Sequence, residues 1–284
     1  DDWILEGYWN ESNLFEISKV IHSHNKKKLA QLYYEFELAR QLDVPIPEEG
    51  YIPRIKFTDD ANTLAVLTLN RHQNIMDIFA VNPLSGISKR IVREESDTYL
   101  NEQVYANIEF IGNHFILHSE RSGYNHLYLY TTGGELVRPI TEGNFEVKEF
   151  FGWDKKKNEF YYRSNEGSPL RDNIYKVNAK GKKTQLTKGV GSNSAVFSNG
   201  LKYFINTFSN INTPHIVTTN DNSGKTIKTL IDNKALVESL AKFNMPTKEF
   251  FTFNTSDGTQ LNGWLIKPAD FDASKQYPVV MFQY

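Results

Sequence analysis

The stretch Tyr51–Val92 decides the fold, and it reads YIPRIKFTDDANTLAVLTLNRHQNIMDIFAVNPLSGISKRIV. Short apolar runs alternate in it with polar separators, whose letters are DDAN, RHQN and NPLSG. Asp, Asn, Pro, Ser and Gly favour tight turns, so this alternation predicts short strands joined by turns. The stretch therefore predicts one unit of four short β-strands.

The same order of strands and turns recurs along the chain, in residues 107–141, 147–187 and 194–231. A period of roughly 40 to 50 residues is typical of propeller blades with four strands each. A β-sandwich also has many short strands, but it does not repeat one internal order at a fixed long period, and it stands as the less favoured alternative. We therefore predict a mainly β protein, with a partial β-propeller of about four blades at its centre.

The composition narrows the classes of function. The formal net charge of −2 and the pI of about 6.4 give no basic surface of the kind that nucleic-acid binding requires. No apolar run is long enough to cross a bilayer, and we expect no secretory leader because residues 1–20 are polar and interrupted. The chain has no cysteine, which excludes disulfides and thiolate metal ligands. No pattern predicts a metal or another cofactor.

The first 45 residues differ from the repeats. Asn13 and Glu16 have the spacing of a helix capping box, and apolar residues at helical spacing follow within residues 14–21 and 29–36. The sequence predicts two amphipathic helices that end before Pro45. Three interpretations of these helices stay open. They pack on the open side of the propeller, they are a product of gene rearrangement, or they bind a partner or a second copy of the chain.

Charged residues within the repeats are candidates for a site. The acidic pair Glu48–Glu49 precedes a blade strand and is predicted to be a solvated turn. The pairs Asp59–Asp60 and Glu94–Glu95 are also predicted to lie in turns, with no matching acid at the separation that glycoside hydrolysis needs. Arg121 and Tyr124 are predicted at a strand–loop junction, where side chains can face the central cavity of a propeller. For Arg121, a salt bridge between two blades is favoured over a contact with substrate.

Five motifs follow one another over residues 119–280. They are SERSGYNHLYLY (Ser119–Tyr130), DNKAL (Asp232–Leu236), MPTKEF (Met245–Phe250), NGWLIKP (Asn262–Pro268) and YPVV (Tyr277–Val280). Together, in this order and spacing, they resemble motifs of the dipeptidyl peptidase IV-like serine peptidases, a family within the prolyl oligopeptidase superfamily. The resemblance covers about residues 48–284.

We expect three parts of the chain. Residues 1–45 are expected to be a helical extension of unknown origin, which the resemblance does not cover, and residues 46–243 a partial propeller. The resemblance implies that residues 244–284 are the start of an α/β-hydrolase domain. Within the last part, the apolar run Tyr277–Tyr284 predicts a β-strand buried on both faces.

The function implied by the resemblance is removal of dipeptides from peptide N-termini, with post-proline preference, by a Ser–Asp–His triad. The sequence contains no Gly-x-Ser-x-Gly motif, and no histidine follows His215. We therefore expect the chain to stop before the triad and to be inactive alone. The alternative is a non-catalytic propeller that binds a protein or peptide. Complete members of the family are expected to be periplasmic or otherwise exported, and homodimeric.

Two site residues follow from the resemblance. Tyr284 matches the family's strand-end tyrosine, whose hydroxyl donates to the oxyanion. The other interpretation of Tyr284 is a tyrosine with a solvated hydroxyl. Glu6, in the segment DDWILEG, partly matches the glutamates that bind the free amine of the substrate, although Gly7 stands where the family has a second acid.

Overall fold

The computed structural model describes residues 42–282. Within this range the chain divides into two compact units, one of residues 42–148 and 179–182 and the other of residues 149–178 and 183–282. The two helices predicted before Pro45 lie outside the described residues. Neither of the helices between residues 42 and 282 has the length and apolar character needed to span a membrane.

The first unit contains two antiparallel sheets with neighbouring strands in chain order. Blade A consists of β1 (Tyr51–Phe57), β2 (Leu64–Leu69), β3 (Ile75–Val81) and β4 (Ser88–Glu95). Blade B consists of β5 (Glu109–Ile111), β6 (His114–Ser119), β7 (His126–Thr131) and β8 (Leu136–Pro139). The short helix α1 (Glu102–Ala106) lies between them in sequence, and the Asn101 side chain caps it by accepting from the Gln103 amide.

The second unit repeats this pattern. Blade C consists of β9 (Val147–Asp154, beginning at the unit boundary), β10 (Glu159–Ser164), β11 (Asn173–Asn178) and β12 (Lys183–Gln185). Blade D consists of β13 (Ser192–Phe197), β14 (Tyr203–Asn210), β15 (Thr213–Asp221) and β16 (Thr226–Ile231). Helix α2 (Lys234–Leu240) follows, and then a separate hairpin of β17 (Lys248–Asn254) and β18 (Gln260–Ile266). The predicted fold class, a mainly β partial propeller of four-stranded blades, is confirmed.

The core of the first unit lies between the faces of blades A and B. Leu67 and Met76 of blade A and Phe115 and Leu117 of blade B are all fully buried in one apolar cluster. The Phe115 ring stacks on Tyr130, with 5.1 Å between ring centroids. The central strand β2 is buried from Ala65 to Leu69 because both of its faces are covered, whereas the end of β4 alternates between buried and exposed residues.

In blades B and C, a buried threonine after the last strand accepts a hydrogen bond from the third strand. The Thr141 hydroxyl accepts a 3.0 Å hydrogen bond from the Leu127 amide of β7. The Thr187 hydroxyl accepts a bond of the same length from the Ile174 amide of β11. Both threonines lie in the same local sequence, an aliphatic residue, threonine, any residue and glycine. The repeat of the sequence is thus also a repeat of hydrogen bonds.

The predicted buried strand over Tyr277–Tyr284 is wrong for the residues that the structure describes. Residues 277–282 have no regular secondary structure, and Val279 and Val280 are 82% and 95% exposed. A strand buried on both faces requires hydrogen-bonding neighbours on both sides. No strand within residues 42–282 pairs with this segment.

Candidate functional site

The site residues taken from the resemblance, Glu6 and Tyr284, both lie outside residues 42–282, so the structure does not place them. Glu48 and Glu49 are exposed in a turn, as predicted. The predicted turn position of Glu94–Glu95 is wrong, because both residues end strand β4. The alternation of that strand turns Val92 and Glu94 to the buried side and leaves Glu95 exposed.

Glu94 is a buried charged residue of the first unit with partners on both of its carboxylate oxygens. Its side chain is only 4% exposed. The Ser119 hydroxyl donates to one carboxylate oxygen at 2.6 Å, and the Arg121 guanidinium donates to the other. Arg121 also donates through Nε to the Ser119 hydroxyl at 2.9 Å. These three residues therefore form a closed network in which each polar group has a partner.

The Arg121 prediction is confirmed by this network, since Glu94 belongs to blade A and Arg121 follows the second strand of blade B. The guanidinium carbon also lies 4.5 Å from the centroid of the Tyr128 ring, within range of a cation–π interaction. An arginine that is both paired and stacked holds two blades together. It has little freedom left to bind a substrate.

A cleft of about 560 Å³ opens beside this network. Its lining includes the paired groups Glu94 and Arg121 and the further acids Glu95, Asp97 and Glu120. The excess of carboxylates gives the cleft a negative potential, which favours cations over anions. Within residues 42–282, no group of three or more His, Cys, Asp or Glu side chains is placed to hold a metal ion.

His118 lies in a second polar cluster of the first unit. It is 1% exposed, and its Nδ1 lies 3.2 Å from the Asn125 side-chain nitrogen. Burial lowers the pKa of His118 from 6.5 to about 4, against the smaller opposing effect of the Asn125 hydrogen bond. The imidazole is therefore neutral at pH 7, and its contacts are those of a structural residue.

His126 is also structural. Its ring nitrogens lie 3.0 Å from the Thr141 hydroxyl and 2.9 Å from the Gly143 carbonyl oxygen. Its ring meets Phe145 edge-on, with centroids 4.9 Å apart. Within residues 42–282, neither His118 nor His126 has the serine and carboxylate partners that a hydrolytic triad requires.

The comparisons with known proteins agree with this architecture. The family model "Dipeptidyl peptidase IV (DPP IV) N-terminal region" matches residues 18–215. The match begins inside the segment 1–45, so most of that segment lies within the family region as well.

Two curated relatives and two solved structures show the same likeness. A probable dipeptidyl peptidase 4 of Emericella nidulans is 27% identical over 86% of this chain and 33% of its own length. Dipeptidyl peptidase 4 of Trichophyton rubrum is 30% identical over 78% of this chain and 30% of its own length. The crystal structure of Porphyromonas gingivalis dipeptidyl peptidase 4 superimposes with a TM-score of 0.80 at 40% identity, covering 84% of this chain and 34% of that one. A putative dipeptidyl aminopeptidase IV from Bacteroides ovatus gives 0.71 at 26% identity, with 84% and 36% covered.

The chain thus spans about a third of the length of these relatives. The family predicted from the motifs Ser119–Tyr130 and Asn262–Pro268 is confirmed. On the match of its sequence over residues 18–215, the chain belongs to the dipeptidyl peptidase IV N-terminal region family.

Proposed function

We propose that this chain is the propeller portion of a serine exopeptidase that removes N-terminal dipeptides with post-proline preference. The observation that carries the proposal is the family match over residues 18–215, joined to relatives that are named dipeptidyl peptidase 4. The repeated blades and the hairpin that follows them agree in order with that family. In the complete enzyme, the propeller would admit peptide N-termini to the hydrolase domain, and two copies would form a dimer.

The chain of 284 residues is proposed to be inactive alone. Its sequence has neither a Gly-x-Ser-x-Gly motif nor a histidine after His215, so it offers no nucleophile and base in the order that the hydrolase fold uses. We assign Tyr284 the role of oxyanion donor and Glu6 that of a contact to the substrate amine. Residues 1–45, 46–243 and 244–284 are the proposed extension, propeller and hydrolase start.

Hydrolysis of Gly-Pro-4-nitroanilide tests this proposal in two proteins. The chain of 284 residues should release no nitroaniline above a mock purification. A version extended through the hydrolase domain should release it, and Tyr284→Phe in that version should lower kcat by about 10- to 1000-fold. Turnover by the short chain that survives further purification, or an extended version that is folded and inactive, would refute the proposal.

The second candidate is a non-catalytic propeller that binds a protein or peptide. The observation in its favour is the closed network of Glu94, Ser119 and Arg121. In this network, Glu94 and Arg121 beside the cleft bind each other, so their role is structural rather than catalytic. This candidate predicts that the extended version binds peptides without releasing dipeptides. Mass spectrometry of a proline-containing peptide after incubation distinguishes the two, because only the enzyme shortens it by two residues.

A further inference from the structure

The second unit contains a cleft of about 550 Å³ that the proposed function does not use. We call it the loop cleft and define it by Leu170, Arg171, Val190, Lys248, Phe250 and Trp264. These residues come from the β10–β11 loop, the β12–β13 loop and the two strands of the hairpin. The volume is within the range of about 300 to 1,000 Å³ that is usual for small-ligand sites.

Apolar side chains in the loop cleft are unusually open to solvent. Leu170 is 38% exposed, Trp264 49%, Phe250 52% and Val190 62%. These four residues give the loop cleft apolar walls, on which an apolar group of a ligand can pack.

The loop cleft also contains two cations without an anionic partner. The Lys248 ammonium lies 4.4 Å from the centroid of the Trp264 ring. Arg171 lies next to Asp172, but that carboxylate pairs with Arg163 at 3.7 Å. Lys248 lies next to Glu249, whose carboxylate pairs with Lys267 at 2.8 Å. Among residues 42–282, no carboxylate forms an ion pair with either Arg171 or Lys248.

This combination selects one class of ligand. Two uncompensated cations attract a carboxylate, and the Arg171 guanidinium can bind both carboxylate oxygens at once. The Trp264 ring restrains the Lys248 ammonium through the cation–π contact, so less side-chain freedom is lost when an anion binds. The neighbouring Phe250, Leu170 and Val190 suit an apolar side chain adjacent to that carboxylate.

We propose that the loop cleft binds an acidic peptide segment, in which a Glu or Asp side chain lies next to an aromatic residue. The carboxylate binds between Arg171 and Lys248, and the aromatic ring packs on Trp264 and Phe250. That the ligand is a peptide rests on the proposed function, whereas the preference for a carboxylate beside an apolar group rests on the cleft alone.

Two blocked dipeptides test the proposal on the chain of 284 residues. N-acetyl-Phe-Glu-amide carries the predicted carboxylate, and N-acetyl-Phe-Gln-amide has the same size without the charge. Isothermal calorimetry at low salt should give a Kd about 10-fold lower for the Glu peptide. Because both N-termini are acetylated, neither peptide reports on removal of N-terminal dipeptides, and the result is independent of catalysis.

Charge-removing variants assign the effect to the loop cleft. Arg171→Gln and Lys248→Gln should each raise the Kd of the Glu peptide about 5- to 10-fold and leave that of the Gln peptide unchanged. Lys248→Arg keeps the charge and should retain most of the affinity. Lys228→Gln, which removes an exposed cation of β16, is the matched control and should change neither Kd.

Three results would overturn the proposal. The first is equal affinity of the chain for the two peptides. The second is no binding of the Glu peptide at a concentration 10-fold above the Kd of about 1 mM that we expect for so small a ligand. The third is a loss of affinity in the Lys228→Gln control as large as that in Arg171→Gln or Lys248→Gln. Far-ultraviolet circular dichroism and melting curves show whether each variant is folded. Should Lys248→Gln not fold, Arg171→Gln and Lys248→Arg decide the question.

Discussion

Blades A and B and the hairpin β17–β18 contain the same kinds of apolar side chain and bury them to opposite degrees. Phe115 and Leu117 in blade B are 0% exposed, whereas Phe251 and Phe253 in the hairpin are each 46% exposed. The strand pairs β6–β7 in blade B and β17–β18 in the hairpin are both antiparallel with regular pairing. The comparison shows that strand formation is decided locally, whereas burial is decided by what covers the faces of the sheet. A hairpin of two strands is too small to cover its own faces.

The largest expected difference between the two regions is the effect of removing a phenyl ring. Phe115→Ala should lower the free energy of unfolding by about 3–5 kcal/mol, because it leaves a cavity among close-packed side chains beside Tyr130. Phe253→Ala should lower it by less than about 1 kcal/mol, because the ring already contacts water. Urea denaturation followed by circular dichroism measures both. Similar losses for the two variants would show that the hairpin is covered in solution.

Blade B and the hairpin should also differ in how their stability depends on pH. The folded pKa of His118 is about 4, below the unfolded value of 6.5, so the folded state binds fewer protons between these values. The stability associated with the neutral imidazole is present above pH 6.5 and is lost as the pH falls to 4, with a total of about 3 kcal/mol. Melting temperatures measured between pH 7 and pH 4 should fall less steeply in His118→Gln than in the parent.

The hairpin should respond in a different pH range. The pKa of Asp257 lies below its usual 3.8 because its carboxylate accepts hydrogen bonds from Thr255 and Thr259. The stabilisation from that turn is therefore present above pH 3.8 and is lost only below it. Asp257→Asn should leave the slope between pH 7 and pH 4 unchanged. A slope as steep in His118→Gln as in the parent would contradict the assignment of the upper range to His118.

Ion pairs give a third, smaller contrast. Glu94→Gln should cost about 2–3 kcal/mol, because it removes the charge that Arg121 and Ser119 surround in a buried position. Glu249→Gln removes the partner of Lys267 in the hairpin, where the two side chains are 54% and 36% exposed, and should cost less than about 0.5 kcal/mol. Thermal unfolding at 50 mM and 500 mM salt checks both values. A cost for Glu94→Gln as small as that for Glu249→Gln would show that the network stabilises neither blade.

The smallest expected difference between the two regions concerns a glycine in a turn of each. Gly134 in the β7–β8 turn has φ of +92°, and an added Cβ would clash with the Ile91 carbonyl oxygen. Gly258 in the hairpin turn has φ of +86° with nothing within 4 Å of that position. Gly134→Ala should cost about 2 kcal/mol from backbone strain and contact together, and Gly258→Ala about 1 kcal/mol from the backbone alone. Differential scanning calorimetry resolves the difference, and equal costs would show that the turn is not pressed against blade A.

Much of the fold follows from sequence because its signals are local. The separators DDAN and NPLSG contain turn-forming residues, and the runs between them form β2, β3 and β4 near the predicted positions. The same holds for the blade-to-blade role of Arg121, which follows from its position at a strand end. Helix α1 was not predicted, because five residues are too few to give a helical period.

The candidate site was less predictable. The sequence predicts that Glu94 and Glu95 lie in a turn, and only the register of β4 turns the Glu94 side chain inward. Arg171 and Trp264 are distant in sequence, and only the folded chain brings both of them to the wall of the loop cleft. No spacing rule connects residues on separate loops, so no motif could have indicated this cleft.

The order of strands, the four blade repeats and the membership of the family were determined by the sequence itself, since turn residues and apolar alternation act over a few neighbouring positions. The tertiary structure alone decided which apolar residues are covered, which acid pairs with Arg121 and which cations have no anionic partner in the described part of the chain. The physical reason is that burial and electrostatic pairing depend on distances in space, whereas the period of a strand depends only on the chain.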